Sequence, residues 1–119
     1  MCRSRARELV AFVLESSGML VRTAGSAAEA RDELARFAPH VIVSDIGMPH
    51  EDGLALIRSV RTLADEEKKN TPAIALTAFA RNEDRTRVLV EGFNLHMPKP
   101  VEPSALVSAV AELAAHARR

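Results

Sequence analysis

Apolar residues along the chain follow two alternating patterns, one typical of amphipathic helices and the other of buried strands. The helical pattern is clearest at Leu9, Val10, Val13 and Leu14, which predict a helix over residues 4–17 that ends at Gly18. Similar spacing predicts four more helices, over residues 27–38, 54–63, 82–91 and 103–116, and Gly92 is predicted to end the helix over 82–91.

Short apolar runs between these helices predict strands. Val41–Ser44 and Ala73–Leu76 are continuous runs, as expected for strands that are buried on both faces of a parallel sheet. Residues 19–24 and 94–97 are predicted as two further strands, and the polar run 64–70 as a surface loop. Helices that alternate with strands predict an α/β fold with a doubly wound parallel sheet, although such a chain would normally begin with a strand.

Composition narrows the class of protein. The chain has 119 residues, of which 47% are hydrophobic and 27% charged, so we expect a single globular domain over residues 1–119. Basic and acidic residues balance at 16 each, which argues against a general nucleic-acid or membrane-surface binder. No apolar run approaches the roughly 20 residues that span a bilayer. A single cysteine, Cys2, fits a reducing cytoplasm.

Three polar residues stand at the ends of predicted strands. Asp45 follows Val41–Ser44, Thr77 follows Ala73–Leu76, and Lys99 comes shortly after the strand at 94–97. Ligands of doubly wound sheets bind beyond the carboxyl ends of the strands, so we expect these three side chains to share one rim. A carboxylate can accept a phosphoryl group, a hydroxyl can hydrogen-bond that group, and a lysine can neutralise its charge.

The motifs around these residues resemble those of a known family. Residues 44–49 (Ser-Asp-Ile-Gly-Met-Pro) with Asp52-Gly-Leu54 are similar to the phospho-acceptor loop of the receiver domains of two-component response regulators. Residues 76–78 (Leu-Thr-Ala) resemble the switch-threonine segment, and residues 97–100 (Met-Pro-Lys-Pro) the segment that carries the family's lysine. The resemblance runs from about Arg5 to Ala114, with the motifs in order.

This resemblance implies a flavodoxin-like sheet of strand order 2-1-3-4-5. It also implies that Asp45 is the phospho-acceptor, with Thr77 and Lys99 completing the catalytic set. The donor would be a histidine kinase or phosphotransfer domain, and the recipient of the signal a downstream protein or output domain. A receiver is not an enzyme in the usual sense, since it catalyses at most its own phosphorylation and dephosphorylation.

The amino terminus departs from the family pattern. The family has a first strand that ends in two acidic residues, which bind Mg²⁺ together with the phospho-acceptor. Met1, Cys2 and Arg3 stand at that place here, so Asp45 and the backbone carbonyl of Gly47 are the remaining ligands that the resemblance implies. We therefore expect a receiver truncated at its amino terminus, with a weak metal site.

In the strand order that the resemblance implies, removal of the first strand leaves a slot of about 10 Å, two strand spacings, within the sheet. Either the neighbouring strands close up, or another chain fills the slot, or this start is a truncation of a longer protein. A dimer could form through this slot or through the face of the last two helices. The alternative to a phosphorylated receiver is a pseudo-receiver, which keeps the fold and acts as a protein-interaction module. An aspartate-based phosphatase is disfavoured, because no second carboxylate is placed as its acid or base. His96, where the family usually has an aromatic residue, is interpreted as a partly exposed strand histidine.

Overall fold

A computed structural model describes residues 2–24, 27–45, 52–77, 82–98 and 101–117. The helices in these ranges are α1 (Cys2–Ser16), α2 (Ala27–Arg36), α3 (Asp52–Arg61), α4 (Glu66–Lys69), α5 (Asn82–Glu91) and α6 (Pro103–Ala117). The strands are β1 (Ile42–Asp45), β2 (Ala73–Thr77) and β3 (Leu95–Pro98).

The three strands form one parallel sheet in the order β1-β2-β3. Ile42 pairs with Ala73 at the start of β1, and Ile74 pairs with Leu95 across the other side of β2. Parallel neighbours need a crossover between them, and α3 and α5 lie in the two connections. The prediction of an α/β fold with a parallel sheet is confirmed.

Strand β2 alternates between two hydrophobic cores. Ala73 and Ala75 pack into one core with residues from α2, α3 and α5, whereas Ile74 and Leu76 pack into the other with residues from α1 and α6. The first four residues of β2 are 0–4% exposed. Helices therefore cover the sheet on both faces, and the doubly wound arrangement follows from the period of two in a strand.

Glycines end two of the helices as the sequence predicts. Gly18 follows α1 with φ 89°, and Gly92 follows α5 with φ 129°, both in the left-handed region that side chains disfavour. After α5, the amide of Gly92 donates to the carbonyl of Leu89 and the amide of Phe93 to that of Val88. This pair of bonds is a Schellman motif, which satisfies carbonyls at the end of the helix.

The prediction of a strand at residues 19–24 is wrong, because this described segment forms no strand. Met19 and Val21 pack on the core beneath α1 and α6, but Leu20 is 103% exposed. Strand β1 is at the edge of the described sheet, and β2 is its only partner there. A β-prone run becomes a strand only by pairing with a neighbouring strand, and in the described part of the chain the ladder pairs join β1 to β2 and β2 to β3.

The prediction of an irregular loop over residues 64–70 is also wrong in part, since it contains the short helix α4. Asp65 caps this helix: its side-chain Oδ1 accepts a hydrogen bond from the amide of Lys68 at 3.2 Å. Its backbone carbonyl accepts another from the amide of Lys69 at 2.8 Å. An aspartate at the cap position and a run of helix-favouring Glu and Lys explain the turn of helix.

Arg61, the last residue of α3, connects the loops at the amino ends of β2 and β3. Its guanidinium donates to the backbone carbonyls of Lys69, Thr71 and Gly92 at 2.7–2.9 Å, and to the side chain of Asn94 at 3.0 Å. Partial burial lowers the pKa of Arg61 from its usual value through desolvation. A β-carbon at Gly92 would lie 2.9 Å from the Arg61 side chain, so the glycine is needed for space as well as conformation.

We expect Arg61→Met to lower the free energy of unfolding by about 2–4 kcal/mol, because it leaves partly buried carbonyls without their charged donor. Arg58→Met is the matched control. Arg58 lies one turn earlier on α3 and pairs with Glu91, but its side chain is 53% exposed, so its loss should cost less than about 1 kcal/mol. Urea denaturation of both variants measures the difference, and equal losses would contradict the role given to Arg61.

Candidate functional site

Asp45 and Thr77 lie at the carboxyl ends of neighbouring parallel strands. Asp45 is the last residue of β1 and pairs with Leu76, so its backbone is one position from that of Thr77, the last residue of β2. Both residues are within their strands, whereas the sequence pattern places each of them just after a strand. The two backbones meet at the rim of the sheet where doubly wound folds bind ligands.

The hydroxyl of Thr77 is held inside the protein. Thr77 is 4% exposed, and its Oγ1 lies 2.6 Å from Nε2 of His96. This distance is that of a short hydrogen bond, and the imidazole tautomer decides which atom donates. The end of β2 is therefore fixed to β3 by a side-chain bond as well as by the backbone ladder.

Strand register explains why these two side chains meet. His96 pairs with Ala75, and Thr77 lies two residues farther along β2. Because side chains alternate across a strand, Ala75, Thr77 and His96 all lie on the same face of the sheet. His96 is half-buried, which confirms its interpretation as a partly exposed strand histidine. Its bond to Thr77 could not be predicted from the sequence without the register.

The other predicted site residues lie at or beyond the limits of the described structure. Pro98, the last residue of β3, pairs with Thr77, and Lys99 follows it directly but is outside the described residues. Gly47 is outside them as well, and only the backbone of Asp45 is described. The roles of Asp45, Thr77 and Lys99 in phosphoryl transfer therefore stay predictions.

Glu102 fixes the helix that follows the predicted lysine. Its Oε2 accepts hydrogen bonds from the hydroxyl of Ser104 and, at 2.8 Å, from the amide of Ala105 in the first turn of α6. The bond from Ser104 and then those from the backbone lower the pKa of Glu102. Because its pKa is lowered, the ionised Glu102 side chain stabilises the folded chain. This stabilisation is complete above the ordinary pKa of a glutamate and is lost as the pH falls through the lowered pKa.

The residues present do not fit a Mg²⁺ site of the usual kind. Met1, which is outside the described residues, Cys2 and Arg3 stand where the resemblance places an acidic pair, and the first turn of α1 contains no acidic residue. A thiol and a guanidinium are not the oxygen ligands that Mg²⁺ requires. Elsewhere in the described ranges, no three His, Cys, Asp or Glu side chains come together as a metal site.

Comparison with known proteins identifies the class. The family model described as "Response regulator receiver domain" matches residues 3–111, and the chain therefore belongs to this family. Receiver domains are signalling modules of two-component systems, act with histidine kinases and output domains, and typically bind Mg²⁺. None of the helices in the described part of this chain is both long and apolar enough to span a membrane.

Individual relatives support this assignment. A 14.6 kDa protein from the sodA1 3′ region of Leptolyngbya boryana is 47% identical over 104 residues, which cover 87% of this chain and 78% of that protein. Protein PetR of Rhodobacter capsulatus is 39% identical over 103 residues. Here the match covers 87% of this chain but only 41% of PetR, so the chain spans less than half of that relative.

Solved structures agree with the fold. The receiver domain of the Francisella response regulator 1452 superimposes with a TM-score of 0.83 at 26% identity, covering 95% of this chain and 90% of that one. The signal receiver domain of a histidine kinase from Syntrophus aciditrophicus superimposes with a TM-score of 0.80 at 29% identity, covering 98% and 86%. The prediction of a flavodoxin-like receiver fold is confirmed.

We expect this chain to bind Mg²⁺ weakly, because one side-chain carboxylate cannot replace the hydration shell of an ion that prefers octahedral oxygen ligands. A Mg²⁺ titration that follows the amide resonances of Asp45 and Thr77 tests this expectation. The shifts should not saturate below millimolar concentrations. Saturation at submillimolar Mg²⁺ would show that other ligands complete the site.

Proposed function

We propose that residues 1–119 act as one receiver domain that accepts a phosphoryl group on Asp45 from a histidine kinase or phosphotransfer domain. The observation that carries this proposal is the position of Asp45 and Thr77 at the ends of adjacent parallel strands. The family assignment supports it, since receiver domains are phospho-acceptor modules. A downstream protein or output domain would receive the signal.

The chemistry of this step uses residues of the rim. A carboxylate oxygen of Asp45 attacks phosphorus, a phosphorus–oxygen bond forms, and the phosphorus–nitrogen bond to the donor's histidine breaks. The displaced histidine keeps the electron pair of the broken bond and is protonated. Lys99 would pair with the phosphoryl oxygens, and the Thr77 hydroxyl would hydrogen-bond one of them.

The names of relatives support the choice of partners. The Dictyostelium discoideum hybrid signal transduction histidine kinase D is 47% identical over 68 residues, which are 53% of this chain and 4% of that protein. Response regulator Rre1 of Synechocystis is 34% identical over 110 residues. These names support a histidine kinase as the proposed donor and a response regulator as the kind of protein that takes up the phosphoryl group. The proposed location is the cytoplasm, where a single reduced Cys2 is expected.

A second candidate function is that of a pseudo-receiver. Met1, Cys2 and Arg3 stand where the resemblance places the acidic pair that holds the charge-screening metal, which favours an interaction module without phosphotransfer. The edge position of β1 and the full exposure of Leu20 support a dimer formed through this side of the sheet. The face of the last two helices is the other proposed contact.

Phosphorylation of the purified chain separates the two candidates. We expect labelling by acetyl phosphate or a phospho-kinase to be slow or absent, because Lys99 supplies one positive charge where a bound Mg²⁺ would supply two. A version extended by a first strand that ends in two carboxylates should label well. Asp45→Asn in the extended version should abolish labelling, whereas Asp32→Asn, on the exposed face of α2, should leave it unchanged.

Two results would contradict this account. If residues 1–119 label as fast as the extended version, the lack of an acidic pair does not slow phosphorylation. The argument for a pseudo-receiver is then wrong. If the extended version still labels after Asp45→Asn, another residue is the acceptor. Mass spectrometry of the labelled peptide then identifies that residue.

A further inference from the structure

The outer edge of β1 presents backbone hydrogen-bonding groups to the side of the sheet opposite β2. The amide of Ile42 donates to the carbonyl of Pro72 at 2.9 Å, and Ile42 lies opposite Ala73 in the register. In a parallel pair, alternate residues direct both their N–H and C=O groups toward the partner strand, so Ile42 and Ser44 face β2. Val43 therefore directs its N–H and C=O groups to the outer edge, where an added strand can bond them.

Residues 19–24 pass this outer edge. They connect α1, on one face of the sheet, to α2, on the other, so the chain crosses from face to face here. On the second face, α2 packs beside α3, which connects β1 to β2, whereas α5 packs beside β3. The crossing is therefore on the β1 side of the sheet. We call the space between residues 19–24 and β1 the β1 groove.

Both walls of the β1 groove are apolar and incompletely covered. In the crossing segment, Val21 packs on the core that also receives Val43, while Leu20 is 103% exposed. In β1, Ile42 and Val43 are partly exposed, whereas the first four residues of β2 are 0–4% exposed. Ile42 belongs to the core on one face of the sheet and Val43 to the core on the other, so the groove meets both cores.

We propose that the β1 groove binds one extended peptide segment, which adds to the sheet as a further strand along the outer edge of β1. The backbone of this segment bonds the N–H and C=O groups of Val43, and its side chains alternate between the two cores. Because both of its faces are buried, the segment is apolar at successive positions and uncharged at its centre. The inference rests on the second candidate function, that of an interaction module, and needs no phosphorylation of Asp45.

The β1 groove favours an extended segment over a strand that is part of a folded domain. A strand that bonds Val43 needs a free backbone edge, and it needs both of its faces bare because the two cores contact it from either side. The strands within a folded copy of this chain do not meet this condition, since helices cover both faces of its sheet. A second copy would therefore have to offer an extended segment as well.

A synthetic peptide with the sequence of residues 72–77, flanked by lysines for solubility, is a suitable probe. This sequence, Pro-Ala-Ile-Ala-Leu-Thr, is β2 with the proline before it, and as β2 it already pairs with β1 between the two cores. The peptide is added to the ¹⁵N-labelled chain without a phosphoryl donor. We expect saturable shifts in the amide resonances of Val43 and of residues 19–24.

Two matched changes test the backbone bonds. Val43→Pro removes the outward N–H and keeps the bonds of Ile42 and Ser44 to β2, because an edge strand tolerates proline where its N–H faces away from the sheet. This variant should bind the peptide about tenfold more weakly. A peptide that is N-methylated at alternate residues should lose at least as much affinity for the unaltered chain, and this second comparison does not depend on how the variant folds.

Several results would overturn the proposal. They are the lack of a saturable shift at Val43 and residues 19–24, equal affinity for the N-methylated peptide, and equal affinity of the extended version, whose own first strand should occupy the groove. Shifts of the same amides that depend on the concentration of the chain alone would identify a second copy as the occupant, and would also overturn it. Because no phosphoryl donor is present, the result is independent of whether Asp45 can be labelled.

Discussion

Burial of β2 between two helical layers is the constraint on which the rest of the structure depends. Ile74 and Leu76 fill the core beneath α1 and α6, while Ala73 and Ala75 allow α3 and α5 to lie close on the other face. Complete burial of a side chain such as Ile74 contributes about 1.5–3 kcal/mol. Because β2 is the middle strand, its position sets the registers of both β1 and β3 and therefore places the ends of all three strands at one rim.

The two ends of this sheet differ in their hydrogen-bonded groups. At the amino ends of β2 and β3, Arg61 and Asn94 satisfy backbone groups, and the amide of Ala73 donates to the Asn94 side chain at 2.8 Å. At the carboxyl ends, the described polar contact is the hydrogen bond between the Thr77 hydroxyl and His96. This difference agrees with doubly wound folds in general, in which ligands bind beyond the carboxyl ends of the strands.

Much of this arrangement could be predicted from local patterns. Glycines at positions 18 and 92 marked helix ends, because few other residues adopt the positive φ found there. The apolar runs marked β1 and β2 to within one residue. Asp45 and Thr77 could be placed at strand ends from the same runs, since a parallel sheet brings equivalent ends together. The receiver fold followed from the motifs in their order.

Other features depend on contacts that no local pattern contains. Residues 19–24 have the composition of a strand, but they form no strand in the described structure, where the sheet consists of β1, β2 and β3. The contact of His96 with Thr77 requires the register between β2 and β3, and the four bonds of Arg61 require the relative positions of α3, α4 and α5. These features are set by tertiary packing, which overrides secondary-structure propensity where the two conflict.

Native-state hydrogen exchange tests the central role of β2 most directly. The account predicts that the amides of Ile74, Ala75 and Leu76 exchange only when the whole domain unfolds, because β2 is buried on both faces and bonded on both edges. Amides of residues 19–24 should exchange much faster, by local opening. If the β2 amides exchange as fast as those of residues 19–24, β2 does not anchor the sheet and the placement of the rim loses its basis.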